Sequence, residues 1–155
     1  MQLAIPRARL SYLDQASPAD WADILATFRL FDGIPKRRLR DLVRQATFAE
    51  YGRGDMVLQR GARGDSLLVI LSGSAKVLGK PAGRTLRTGD YFGELGALEG
   101  APRSATVFAT GELHVMRLPR DDFLRLAERY PKVSLEMLGQ LGSQFRRLET
   151  LPGQV

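Results

Sequence analysis

Apolar residues follow three different spacings along the chain. Over residues 17–46 they recur at helical intervals, first as Trp21, Ile24, Leu25 and Phe28. Ser17 is a good N-cap there, Pro18 suits the first helical position, and Asp20 favours the positive end of the helix dipole. After a break at Phe31-Asp32-Gly33-Ile34, a second helix is predicted from Pro35. Leu39, Leu42 and Val43 form its apolar face, with Arg37, Arg38, Arg40 and Arg44 outside.

From 47 to 118 the pattern shortens into strands broken by turns. Apolar and β-branched runs occur at 56–58, 67–71, 75–78, 84–86, 105–108 and 113–118. Gly-Asp pairs at 54–55, 64–65 and 89–90 and the Ser-Gly-Ser at 72–74 punctuate them. Many short strands with Gly-rich turns point to an antiparallel sandwich or barrel such as a jelly roll. The continuous run Leu67 to Leu71 reads as a strand buried on both faces. The RGD triplets in GRGD and ARGDS read as turns of this array.

Helical spacing returns after 119. Asp121 and Asp122 open a helix carrying Phe123, Leu124, Leu126 and Ala127, which ends before Pro131. A last helix is predicted from Pro131 to Leu148, with Leu138, Leu141, Phe145 and Leu148 as a seam on one face. That seam can pack on the barrel, form a homodimer contact, or do both. The expected organisation is an N-terminal extension over 1–16, helices over 17–46, the β-region over 47–118 and C-terminal helices over 119–155.

Composition narrows the function classes. A chain of 155 residues suits one well-buried domain. It has no cysteine, hence no disulfide, thiolate metal site or cysteine nucleophile, which fits the cytoplasm. The first sixteen residues carry no signal-peptide run, and no stretch approaches the roughly 20 apolar residues of a membrane span. The formal charge is +6, which suits anionic partners. Nucleic acid is one such partner, but the arginines are scattered and not interleaved with aromatics.

Catalytic sets are thin. The single histidine, His114, lies in the strand-like ELHVMRL and reads as a structural residue. No Ser-His-Asp set, P-loop or metal-ligand spacing stands out, so an enzyme is not expected and no metal is called for.

The stretch YFGELGALEGAPRSATV at 91–107 is different in kind. Glu94 and Arg103 stand at the two ends of a Gly- and Pro-containing loop. They can close a salt bridge, or they can face a common ligand bearing an anion and hydroxyls. Gly93 permits close backbone approach. A short turn over Leu95 to Leu98 would present its first amides to an anion. Arg103 can add a charge-assisted bond to that anion, and Glu94 can accept from a hydroxyl. Several phosphorylated ligands satisfy this chemistry.

The stretch FGELGALEGAPRSATV resembles the phosphate-binding cassette of the cyclic nucleotide-binding domain family. That family includes regulatory subunits of cAMP-dependent kinase, the bacterial catabolite activator and cyclic nucleotide-gated channels. Its pattern is F-G-E, a hydrophobic residue, a small residue and Leu, then P-R-x-A. LFDGIPKRRLRDLV resembles the helical lead-in to that domain. VLQRGARGDSLLVILSGSAKV and GRTLRTGDYFGE resemble its strands, so the similarity runs over roughly residues 28 to 130.

The resemblance implies a mainly β fold, an antiparallel β-roll with N-terminal helices, a cassette over 92–106 and C-terminal lid helices. It implies a phosphate held by Arg103 and the amides of Gly96 and Ser104. The ribose 2′-OH would bond Glu94, with the Gly93 amide nearby, and Leu95 would belong to the same ligand-binding set. Leu86 and Arg84 would lie beside sugar or base, and Gln144, Arg146 or Arg147 would cap the base. Gly96 stands where many relatives have Ala, which keeps the amide. The ligand implied is cAMP or cGMP, and no other cofactor is implied.

Only 25 residues follow Tyr130, which is short for a helix-turn-helix, so DNA binding of the catabolite-activator type is not expected. The expected role is a stand-alone sensor that signals to a protein partner as its C-terminal helices move. The alternatives are a ligand-free scaffold of the same fold or a basic nucleic-acid binder.

Overall fold

The computed structural model describes residues 17–78, 83–94 and 102–149, with the side chains of 144, 145 and 147–149 outside the description. Helix α1 (Pro18–Leu25) starts at a capping box in which Ser17 and Asp20 exchange side-chain-to-backbone bonds. The hydrogen bonds from Ser17 hold the Asp20 carboxyl below its usual value. The helix stops three residues before Phe28. The Thr27 hydroxyl donates to the Ile24 carbonyl at 2.6 Å, and Phe28 takes an extended conformation ahead of a 3₁₀ turn, Arg29–Phe31. Phe28 is buried all the same. Helix α2 (Lys36–Gln45) follows Pro35 and buries Leu39, Leu42 and Val43.

Eight strands come next: β1 (Thr47–Tyr51), β2 (Met56–Leu58), β3 (Ser66–Ser72), β4 (Ser74–Leu78), β5 (Thr85–Arg87), β6 (Tyr91–Phe92), β7 (Thr106–Ala109) and β8 (Leu113–Pro119). They form two antiparallel four-stranded sheets, ordered β1-β8-β3-β6 and β2-β7-β4-β5. Together with the flanking helices this is the antiparallel β-roll. Strands β1 and β6 are not among the runs picked out by spacing; β6 has two residues and exists by pairing with Leu68 and Val69 of β3. In two of the Gly-Asp corners the Asp side chain closes the turn onto the amide three residues before it: Asp55 accepts from the Gly52 amide at 2.7 Å and Asp90 from the Arg87 amide at 2.8 Å.

The first sheet has two buried faces, which is why β3 reads as an unbroken apolar run. Leu67, Val69 and Leu71 face the helices with Met116, Leu118, Phe31 and Phe123. Leu68 and Ile70 face the roll interior with Val57, Leu86, Phe92, Val107 and Val115. The second sheet is covered on one face only. In β4, Ala75 and Val77 are buried while Lys76 and Leu78 are exposed.

Helices α3 (Arg120–Arg129) and α4 (Pro131–Glu149) close the structure. Helix α4 lies against the 3₁₀ turn and buries Val133 and Met137. The seam expected from Leu138 does not turn inward. Leu138 is 64% exposed and Leu135 65%, because the inward stripe runs through Val133 and Met137, one position away. Leu141 is partly exposed, and the side chains of Phe145 and Leu148 lie outside the described residues.

Candidate functional site

Alternation along the first sheet decides what faces the interior. On β3 it turns Ser66 inward with Leu68 and Ile70. On β8 it turns Arg117 inward with Leu113 and Val115. A cavity of about 280 Å³ opens among Tyr51, Val57, Gly64, Ser66, Arg103 and Arg117.

Arg103 is the centre of this cavity. Its backbone is clamped to the loop before β3: its amide donates to the Ala62 carbonyl at 2.9 Å, and its carbonyl accepts from the Gly61 amide at 2.8 Å. Its side chain is only 5% exposed. Nη1 donates to the carbonyls of Ser66 at 3.0 Å and Gly93 at 3.2 Å, and Nη2 reaches Ser66 Oγ at 3.4 Å. The guanidinium lies flat against Gly64, where a Cβ would sit 2.1 Å from Arg103 Nε. Gly93 has a φ of +79°, and a Cβ there would sit 2.7 Å from Arg103 Nη1. Two glycines therefore shape the seat of one guanidinium.

The electrostatics are unbalanced. Burial, and then the like charge of Arg117, hold the Arg103 guanidinium below the usual arginine value; Asp65 and Glu94 work in the opposite direction. Among the described residues no carboxylate comes within ion-pairing distance of Arg103. The salt bridge that Glu94 and Arg103 can close across the loop is thus not formed, and Glu94 acts only through its field. Arg117 is tied instead to the Tyr51 hydroxyl, to which its Nη2 donates. An arginine has five N–H donors. The bonds above leave Arg103 Nε–H and one Nη2–H without an acceptor among the described residues. A buried cation with unused donors on a cavity wall is a seat for an anion.

The other anticipated residues fall in different places. Gly93 and Glu94 are half-buried beside Arg103, while Ser104 is exposed. Leu86 is fully buried in the interior cluster, and Arg84 is half-buried just before β5, its carbonyl accepting from Val77. Leu95 and Gly96 lie outside the described residues, as do the side chains of Gln144 and Arg147; Arg146 is exposed on α4. Ser66, Gly64 and Arg117 were not anticipated. The signal for the first two was the Gly64-Asp65-Ser66 corner, read only as a turn. His114 lies on the other face of the sheet, away from the cavity.

Among the described residues, no helix is long and apolar enough to cross a membrane.

Comparison with known proteins bears on the family and the fold. The model of the family described as cyclic nucleotide-binding domain matches residues 48–130. The chain is 39% identical over 80 residues to a cAMP-dependent protein kinase regulatory subunit of Aspergillus fumigatus, covering 50% of this chain and 19% of that protein. It is 28% identical over 131 residues to a CRP-like cAMP-activated global transcriptional regulator of Mycobacterium tuberculosis, covering 81% and 58%. The fold resembles that of the Toxoplasma gondii PKA regulatory domain solved with cAMP, with a TM-score of 0.70 and 24% identity over 82% of this chain and 50% of that one. The chain spans less than two thirds of each of these proteins. The β-roll and the match over residues 48–130 make this chain a member of the cyclic nucleotide-binding domain family.

Proposed function

We propose that this chain is a regulatory module that binds cAMP or cGMP in the cavity around Arg103. The observation that carries this is the buried Arg103 guanidinium, which among the described residues has unused N–H donors and no counter-carboxylate. A cyclic phosphate would accept from Nε and Nη2 and neutralise the charge. Glu94, half-buried and not engaged by Arg103, keeps its lone pairs for a ribose hydroxyl. The amides of Gly96 and Ser104 would complete the phosphate contacts, with Leu95, Leu86 and Arg84 around the sugar and base.

The output would pass through α3 and α4 to a protein partner. Binding would draw the cassette around the phosphate, and Gln144, Arg146 or Arg147 would close over the base. A ligand shifts such an equilibrium only by its differential affinity for the two states, so closing contacts on α4 would supply the switch. The exposed Leu135 and Leu138 give α4 an apolar edge for a partner or a second copy. The module works by binding and performs no catalysis of its own.

The test is thermal unfolding of protein refolded to remove co-purified nucleotide, with cAMP, cGMP or the ring-opened 5′-AMP added. Ligands that bind only the folded state raise the midpoint by mass action. A saturable rise with one of the cyclic nucleotides, smaller with 5′-AMP, is expected. No rise with either cyclic nucleotide leaves a ligand-free scaffold of the same fold as the better reading. Hydrogen exchange in α4 with and without ligand tests the switch; identical protection would refute it.

A further inference from the structure

The sheet that carries Arg103's partners on its inner face carries a separate cluster on its outer face. Glu50 on β1 alternates with Ala49 and Tyr51, which point into the roll, so its side chain points the other way. It stands directly opposite His114 on β8 in the antiparallel register. Glu112, in the turn before β8, approaches the same imidazole, with its carboxylate 3.2 Å from His114 Nε2. One ligand atom from each of Glu50, Glu112 and His114 lies within 4.8 Å of the others.

Two features separate this cluster from an ordinary surface ion pair. His114 is 4% exposed. Glu50 Oε2 is shielded from solvent and has no hydrogen-bond partner among the described residues. A shielded carboxylate oxygen without a donor is costly, and the carboxylate that bears it lies beside a second carboxylate and an imidazole. A cation there would engage the carboxylates of Glu50 and Glu112 and the imidazole of His114 together.

We propose that Glu50, Glu112 and His114 form a binding site for a divalent transition-metal ion, Zn²⁺ by the character of its ligands. Imidazole with two carboxylates suits Zn²⁺, whereas Mg²⁺ and Ca²⁺ take nearly all-oxygen shells with more ligands. Bonds to Zn²⁺ of about 2.0–2.2 Å bring tetrahedral ligand atoms to roughly 3.4 Å apart. The cluster would reach that by a small inward swing of Glu112, whose side chain is 73% exposed. A fourth position stays open to water. The ion would tie β1 to β8 on the face opposite the Arg103 cavity, so the site is independent of the nucleotide reading. Sequence spacing does not reveal it, because strand pairing brings Glu50 to the other two.

The composition makes the test clean. The chain has one histidine and no cysteine, so protein without an affinity tag has no competing imidazole or thiolate. Chelator-stripped full-length protein is titrated with Zn²⁺ by calorimetry and with Co²⁺ by visible absorption. We expect saturable 1:1 binding, a Co²⁺ spectrum of low coordination number, and a raised unfolding midpoint with Zn²⁺. Glu112→Gln, at an exposed position, and Glu50→Gln should each weaken Zn²⁺ by about tenfold or more while circular dichroism stays unchanged. An absence of saturable binding would reduce the cluster to a hydrogen-bonded pair beside a half-buried carboxylate. Zn²⁺ binding that survives both substitutions would equally overturn the assignment.

Discussion

The Cα of Gly64 supports the guanidinium of Arg103 so closely that a Cβ at position 64 would lie 2.1 Å from Arg103 Nε and 2.4 Å from its Cζ. No side chain fits between them, and the loop holding Gly64 is hydrogen-bonded to the backbone of Arg103 through Gly61 and Ala62.

Gly64→Ala should therefore push the guanidinium out of its seat while leaving the roll folded. Cyclic nucleotide affinity is expected to fall about ten- to a hundredfold, the loss of a charge-assisted bond. Competition with a fluorescent cyclic nucleotide measures this directly. Unchanged affinity would mean that the ligand does not rest on Arg103.

Arg103→Met separates binding from stability. A buried charge with no carboxylate partner carries a desolvation cost that its bonds to the Ser66 and Gly93 carbonyls offset, so replacing it by an apolar chain of similar length should be near neutral for folding. The ligand-free variant should unfold within about 1 kcal/mol of the parent, since the Ser66 and Gly93 carbonyls lose a donor as the desolvated charge is removed. Its nucleotide affinity should collapse. Urea unfolding beside a binding titration checks both halves.

Arg117→Gln should have a smaller effect on binding. Arg117 lines the same cavity and adds positive field, but its guanidinium is engaged by the Tyr51 hydroxyl. A loss of about two- to fivefold is expected, shrinking as salt is raised because the contribution is field alone. Titrations at low and high ionic strength give the comparison.

Tyr91 offers a pH test on the helical side of the sheet. Its hydroxyl is buried without a hydrogen-bond partner among the described residues, and burial, then the nearby Glu136 and Glu94, push the phenol well above its usual value. The folded state thus keeps the proton after the unfolded chain, at about pH 10, begins to lose it. The unfolded state then binds fewer protons, so this contribution to stability is complete below about pH 10 and is lost as pH rises further. Tyr91→Phe should flatten that alkaline decline and leave neutral-pH stability equal or higher, since no bond is lost. Chemical unfolding between neutral and alkaline pH checks the slope.

Much of the fold is legible in residue spacing because burial enforces it. The double-faced run at β3 is continuous because helices cover one side and the roll interior the other. The alternation in β4 marks a sheet with one wet face. What escaped depends on pairing across long sequence distances. Strand β6 is defined by β3, and the inward face of α4 is set by the 3₁₀ turn it lies on, which selects Val133 and Met137 over Leu138.

The candidate site divides in the same way. Arg103 and Gly93 stand out because the cassette is one local stretch. Ser66 and Gly64, which seat the guanidinium, come from a different loop and look like turn residues. Glu50 and His114 meet only through the β1–β8 register.

The most direct measurement is calorimetric titration of cAMP and cGMP into refolded, nucleotide-free protein, with Arg103→Ala alongside. One-site saturable binding is expected, weakened in the variant by roughly ten- to a hundredfold, or about 1.5–3 kcal/mol. No heat at millimolar ligand, with no change in thermal stability, would contradict it and leave Arg103 as a strut between Ser66 and Gly93.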